Sequence, residues 1–306
     1  MSEKILITGG AGFIGSHLVE YHVKEGNEVV VIDKLCRGNK IPKEIQNEVN
    51  LIQENVLNSD IINKASKGCK HIYHLAALLP VDIVTDNRDE IIEMESIGMK
   101  NISDAAINNG VEKVIYASTS GIYVGSVFEN SATEDISVNP KTSYAIAKRL
   151  NEIYLINLAK EKGLSSVSLR FFNIYGKRQD SRMVLSRFLT QALNHEPITI
   201  TGEGNQTRDF TYIDDVVKAS TLLANHPEAE GIFNIARGSE WSIKGLAKLI
   251  KKITYSKSEI KFISTSEKRD GYEVERNVGD SSKLESITGY KPQTNLEEGI
   301  RKSYGL

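Results

Sequence analysis

The stretch that most constrains this chain lies near its start. Lys4-Ile5-Leu6-Ile7-Thr8 is a short apolar run that stops at Gly9-Gly10-Ala11-Gly12-Phe13-Ile14-Gly15, after which Ser16 to Lys24 reads as a helix closed by Gly26. A strand, a glycine turn and a helix in immediate succession form the opening unit of a doubly wound parallel α/β sheet, the Rossmann fold. Its glycines let the backbone approach a pyrophosphate, and the helix N-terminus adds free N–H groups and a positive dipole end. A second strand, Glu28-Val29-Val30-Val31-Ile32, ends at Asp33. A carboxylate there can bind two ribose hydroxyls and would repel a 2′-phosphate, which favours NAD over NADP. Lys34 and Arg37 follow closely and weaken that preference.

Downstream, Ser143-Tyr144-Ala145-Ile146-Ala147-Lys148 places a phenol and an ammonium four residues apart. On a helix these share a face, and the fixed positive charge would favour the phenolate of Tyr144, making it a usable proton-transfer group. Val111 to Ala117 reads as a buried strand that delivers Ser118-Thr119-Ser120-Gly121-Ile122-Tyr123 to the C-terminal sheet edge, where ligands sit in such folds. Arg208, always charged and able to bind bidentately, suits a phosphate. Asp214-Asp215 reads as a helix start rather than a metal or acid–base pair, and no metal is expected.

Composition limits the alternatives. With 306 residues, 38 Lys+Arg against 40 Asp+Glu and no long basic block, neither nucleic acid nor an anionic membrane is an expected partner. No apolar run is long enough to span a bilayer, and Met1-Ser2-Glu3-Lys4 leads straight into a strand, so a cytoplasmic protein without signal peptide is expected. The two cysteines, Cys36 and Cys69, read as unpaired small apolar residues in a reducing compartment.

The GxxGxxG spacing after Thr8-Gly9-Gly10 and the segments that follow resemble the extended short-chain dehydrogenase/reductase family, in its NAD-dependent nucleotide-sugar epimerase/dehydratase group. Within that group the chain is most similar to the 4-epimerases of UDP-glucose and UDP-N-acetylglucosamine. Asn55-Val56 falls where the family has Asp-Val near the adenine, His74-Leu75-Ala76-Ala77 resembles its HLAA segment, and Arg170-Phe171-Phe172-Asn173-Ile174-Tyr175-Gly176 resembles LRYFNVYG. Thr207-Arg208-Asp209-Phe210 is similar to its TRDF segment, and Arg269-Asp270-Gly271 to its RPGD loop.

The resemblance implies roles for these residues. Thr119, Tyr144 and Lys148 would be the catalytic set. Gly9, Gly12, Phe13, Ile14, Gly15, Asp33, Asn55, Val56, Leu75, Ala76, Ala77, Ser118, Tyr144, Lys148 and Phe172 would contact NAD. Thr119, Asn173, Arg208 and Arg269 would hold a nucleotide sugar, with Phe172 against the nicotinamide. Glu95 departs from the family's usual cofactor-contacting Asn. His74 is expected to be a satisfied strand-end histidine, Trp241 a core residue at the start of a helix to Lys252, and Asn277 a modest side chain that leaves room at the sugar C2.

Relatives that eliminate water or decarboxylate carry acidic residues just after the catalytic hydroxyl, whereas Ser120-Gly121 is uncharged. The expected activity is therefore NAD-dependent inversion at C4 of a UDP-hexose or UDP-N-acetylhexosamine. A net reductase or dehydrogenase stands as the alternative, a 4,6-dehydratase is less favoured, and a noncatalytic NAD-binding protein least. Residues 1–175 are expected to form the NAD domain, with a returning segment near 208–236, and 176–306 mainly the substrate domain. A homodimer through the helices around Arg88 to Asn109 and Tyr144 to Lys162 is expected by analogy.

Overall fold

The computed structural model describes residues 2–78, 88–126, 130–264 and 274–306. Its centre is a seven-stranded sheet built from β1 (Lys4–Thr8), β2 (Glu28–Asp33), β3 (Val49–Gln53), β4 (His71–His74), β5 (Lys113–Thr119), β6 (Ser166–Phe171) and β10 (Gly231–Ile235). The strand order is β10-β6-β5-β4-β1-β2-β3, and every pairing is parallel. These strands are apolar on both faces, as a sheet covered by helices on both sides requires.

One face is covered by α1 (Phe13–Lys24) and α6 (Ile213–Asn225), the other by α2 (Ser59–Ala65), α3 (Arg88–Asn109) and α4 (Ser143–Lys162). The switch in strand order between β1 and β4 puts the cleft above the glycine turn, between the first βα unit and the second half of the sheet. A smaller sheet holds β7 (Asn173–Tyr175), β9 (Thr207–Tyr212), β11 (Glu240–Ser242) and β13 (Arg276–Asn277). A third pairs β8 (Ile198–Thr201) with β12 (Ile260–Ile263), backed by α5 (Val184–Leu193) and α7 (Ile243–Ile253). Two further helices, α8 (Ser282–Thr288) and α9 (Leu296–Tyr304), follow.

Several expectations are corrected. Helix α1 begins at Phe13, three residues before Ser16, because Gly12 already has extended dihedrals and takes the N-cap position. Strand β5 runs on to Thr119, so Ser118 and Thr119 belong to the sheet edge itself. β6 ends at Phe171, and β7, which follows it directly, pairs with β9 in the small sheet rather than joining the large one. Within 208–236, β9 belongs to the small sheet and β10 to the large one. Trp241 lies in β11, and α7 starts two residues later, where the Ser242 hydroxyl accepts the Gly245 N–H at 2.9 Å. Asp215 does not cap its own helix; its carboxylate accepts the Tyr290 hydroxyl at 2.6 Å and the Thr294 N–H at 2.9 Å, tying the C-terminal segment to α6.

Candidate active site

The glycine turn is packed too closely for side chains. A Cβ on Gly15 would stand 2.2 Å from the Gly9 carbonyl, and one on Gly9, whose φ is +69°, would stand 2.7 Å from the Ala76 nitrogen. Gly12 provides no side-chain cap, so the first N–H groups of α1 face the turn without an intrahelical acceptor. The Asp33 carboxylate closes the cradle, accepting the N–H of Ala11 at 3.0 Å and of Leu35 at 2.8 Å. Gly9, Gly12, Gly15 and Asp33 meet in this turn, with Phe13 and Ile14 opening α1, in a form that fits a dinucleotide pyrophosphate. Leu75, Ala76 and Ala77 border it after β4, and Asn55 and Val56 follow β3 on the neighbouring strand end. The Val56 and Leu57 carbonyls are held there by Asn101 Nδ2 at 3.0 and 3.1 Å.

Helix α4 starts where Thr142 Oγ1 accepts the Ala145 N–H at 3.1 Å, and it ends at Gly163 in the left-handed region. This presents Tyr144 and Lys148 on one turn-spaced face, with Lys148 Nζ 5.5 Å from the centre of the Tyr144 ring. Thr119 closes β5, and its Oγ1 accepts the Gly121 N–H at 3.0 Å. This bond uses one of its two lone pairs, and the hydroxyl can donate its proton to a ligand oxygen. A Cβ on Gly121 would stand 3.2 Å from that Oγ1 and 3.8 Å from the Ala145 Cβ, so Thr119 and the start of α4 flank one position.

The Lys148 ammonium was expected to promote Tyr144 ionisation. Instead it lies 3.0 Å from Glu95 Oε1, both side chains being 1% exposed. Burial and the Glu95 carboxylate push the Tyr144 phenol well above its ordinary range. Sequence reading noted Glu95 only as a departure from the family's Asn. Nothing local to Glu95 shows that α3 carries it against α4.

Ser118 is 3% exposed, and its hydroxyl donates to Glu152 at 2.6 Å within a buried network. The Phe172 ring, 2% exposed, packs with Tyr123, Ala132 and Ala236 in a small core. His74 is only half satisfied, since Thr8 Oγ1 meets Nδ1 at 2.7 Å while Nε2 is buried without a partner. Of the cysteines, both free, Cys69 is buried as expected but Cys36 is exposed.

The small sheet gathers the substrate-side candidates. Register places Arg208 beside Asn277 on β13 and Trp241 on β11, and Asn173 across from Phe210 on β9. Arg208 Nη1 donates to the Thr207 and Val274 carbonyls at 2.8 and 2.7 Å, which holds its guanidinium in a fixed orientation. Asn277 reaches the catalytic strand end: its Nδ2 donates to Ser120 Oγ at 3.0 Å, and its buried Oδ1 has no partner. Arg269 lies outside the described residues. Asp209, named in the sequence only as part of the TRDF-like segment and given no role, is the anchor of this sheet. Its carboxylate accepts the N–H groups of Arg237, Gly238 and Gly279 at 3.1, 2.8 and 3.3 Å, and burial raises its pKa to about 6. No helix among the described residues is long and apolar enough to cross a membrane.

The profile of the NAD dependent epimerase/dehydratase family matches residues 5–236. A UDP-N-acetyl-alpha-D-glucosaminuronate decarboxylase of Bacillus cytotoxicus is 34% identical over 99% of this chain and 97% of its own length. Among solved structures, the UDP-glucose 4-epimerase of Thermotoga maritima with UDP-glucose superposes with a TM-score of 0.91 at 31% identity, covering 98% of this chain and 97% of that one. The Thermus thermophilus UDP-glucose 4-epimerase in complex with NAD gives a TM-score of 0.87 at 30% identity, with 98% and 97% covered.

Proposed function

The chain belongs to the NAD-dependent epimerase/dehydratase family, and from that footing we propose that it inverts C4 of a UDP-hexose or UDP-N-acetylhexosamine through a 4-keto intermediate. NAD is the cofactor, and when bound it supplies the reversible hydride acceptor for C4. The glycine turn and Asp33 would hold it. Tyr144 takes the proton from the 4-hydroxyl and returns it after the keto sugar has turned over in the cleft. Thr119 donates its hydroxyl proton to the same substrate oxygen. Arg208 and Asn173 anchor the diphosphate, so the nucleotide stays fixed while the sugar changes face.

The observation that carries this reading is Gly121. A side chain there would enter the space beside Thr119 Oγ1 and Ala145, where an additional acid or base could act, and glycine provides none. Ser120, the other candidate position, is buried and bonded to Asn277. Inversion needs one proton-transfer group, whereas elimination of water needs a second.

Decarboxylation is the second reading, supported by the 34% identical Bacillus cytotoxicus relative, and net reduction or oxidation of a nucleotide sugar uses the same Thr119, Tyr144 and Lys148. The discriminating experiment incubates the purified protein, without added cofactor, with UDP-glucose, UDP-galactose, their N-acetyl forms and UDP-glucuronate, following the sugar protons by NMR. Interconversion of C4 isomers supports the proposal. Loss of carbon dioxide from the uronate would replace it with decarboxylation, and turnover only with external nicotinamide would replace it with net redox chemistry. We further propose a cytoplasmic homodimer formed through α3 and α4, whose outward faces expose Ile92, Ile97, Ile146, Leu150 and Ile153.

A further inference from the structure

Glu95 joins α3 to α4 inside the site. While Oε1 faces Lys148 Nζ at 3.0 Å without hydrogen-bond alignment, Oε2 accepts the Tyr116 hydroxyl at 2.9 Å and Asn151 Nδ2 at 3.3 Å. Asn151 also donates to the Glu95 carbonyl at 3.1 Å and to the Tyr116 hydroxyl at 2.9 Å, which locks the carboxylate in place. Lys148 Nζ lies 4.6 Å from the Tyr116 ring centre, and His74 stacks on that ring at 5.7 Å. The titratable groups gathered here are therefore Glu95 on α3, Tyr144 and Lys148 on α4, Tyr116 on β5 and His74 on β4.

We propose that Glu95 is a positioning residue that cancels the charge of Lys148 and keeps Tyr144 protonated at rest, so that the site works at a higher pH than Tyr144 and Lys148 alone would set. The inference rests on the reading of Tyr144 as the proton-transfer group. A lone ammonium in a water-poor site stabilises a nearby phenolate strongly. With a carboxylate 3.0 Å from that ammonium the pair is close to neutral, and the stabilisation is withdrawn. His74 adds no compensating positive charge, since burial and Lys148 lower its pKa to about 3. Tyr116, itself held protonated by burial and Glu95, adds no negative charge. Glu95 thus carries the local balance. An amide at this position could keep the contact to Tyr116 but not the charge.

The test is a tyrosinate absorbance titration of the protein as purified, with the Tyr144 signal isolated by subtracting that of Tyr144→Phe. In the wild type Tyr144 stays protonated through about pH 10, the midpoint of a free phenol. In Glu95→Gln its midpoint falls by about one to three pH units, and the rise of turnover with pH moves down by the same amount. Glu95→Asp, which keeps the charge, stays near the wild type. An unmoved midpoint in Glu95→Gln, or an equal shift in Glu95→Asp, overturns the proposal. So does a wild-type Tyr144 that ionises below about pH 10, a result that needs no variant at position 95. Full turnover in Tyr144→Phe would remove the reading of Tyr144 as the base while leaving the titration result intact, so the two failures are distinguishable.

Discussion

Arg170 and Glu152 form a two-armed ion pair beneath the catalytic strand end, with Nε to Oε1 at 2.9 Å and Nη2 to Oε2 at 2.8 Å, and neither side chain is more than 1% exposed. Ser118 donates to the same carboxylate, and Arg170 Nη1 donates to the Tyr123 hydroxyl at 2.7 Å, which passes the chain on to Asn234. The pair ties β6 to α4, the helix that carries Tyr144 and Lys148. Breaking a buried pair by removing one partner leaves an uncompensated charge, at a cost of about 3–5 kcal/mol. Glu152→Leu should therefore unfold at markedly lower denaturant, and Arg170→Met combined with it should recover part of the loss. A single variant as stable as the wild type would show that the network contributes little.

Tyr144→Phe keeps the ring that packs beside Lys148 and removes the hydroxyl alone. If the phenol moves the 4-hydroxyl proton, C4 turnover should fall by about 10²–10⁴-fold, with nucleotide-sugar binding nearly unchanged. Single-turnover NMR together with calorimetric titration of UDP separates these two effects. Loss of binding in parallel with turnover would point to a structural role.

The cradle makes a steric prediction. Gly15→Ala places a methyl carbon 2.2 Å from the Gly9 carbonyl, where backbone rather than a flexible side chain must yield. The turn should open, and the purified variant should carry substoichiometric NAD by absorbance after denaturation. Full cofactor content in this variant would mean that the turn does not form the pyrophosphate site.

These elements differ in how far they could be read in advance. The glycine turn, the end of β5 and the Tyr144 helix are set by spacings of a few residues, so turn geometry and helix periodicity carry them. Glu95, Asp209 and the Arg170–Glu152 pair have no such local signal. Each is a charged residue to which its own segment assigns no role, and its burial depends on which helix or strand packs against it. Phe172 and Ser118, which motif position assigns to the cofactor, also make contacts that no motif shows: Phe172 packs in a small core and Ser118 bonds Glu152. Trp241 was legible as apolar but not as strand, because Ser242 rather than the periodicity decides where α7 begins.

Four histidines, three buried and His17 half-buried, set an acid limit on stability. Burial holds His17, His22 and His71 near a pKa of about 4 and His74 near about 3, below the ordinary 6.5. Between those limits the unfolded chain binds protons that the folded chain refuses, so stability is full above pH 6.5 and falls as pH drops toward 4. Asp209 acts oppositely: raised to about 6, it is protonated in the folded state before the unfolded one, which adds stability as pH falls. Each group contributes about 1.4 kcal/mol per pH unit within its window, and four histidines outweigh one carboxyl. Urea midpoints at pH 7, 6, 5 and 4 should fall progressively, and a constant midpoint would show that the histidines are accommodated charged.

The helices that build the site also expose an apolar face away from it. On α3 the inward Glu95 reaches Lys148, while Ile92 and Ile97 are 44% and 41% exposed. On α4 the same division separates Lys148 from Ile146, Leu150 and Ile153, exposed by 50%, 51% and 43%. A two-fold axis through this face would pair α3 and α4 with their copies as a four-helix contact and remove these side chains from water. Burying each large aliphatic side chain contributes about 1.5–3 kcal/mol, enough in sum to hold a dimer. Leu150→Glu places a carboxylate at the centre of that contact and should yield monomers by sedimentation velocity. Since α4 is then supported only from within, cofactor retention and turnover should fall as well. A wild type that sediments as a monomer at micromolar concentration would leave the apolar face without this partner.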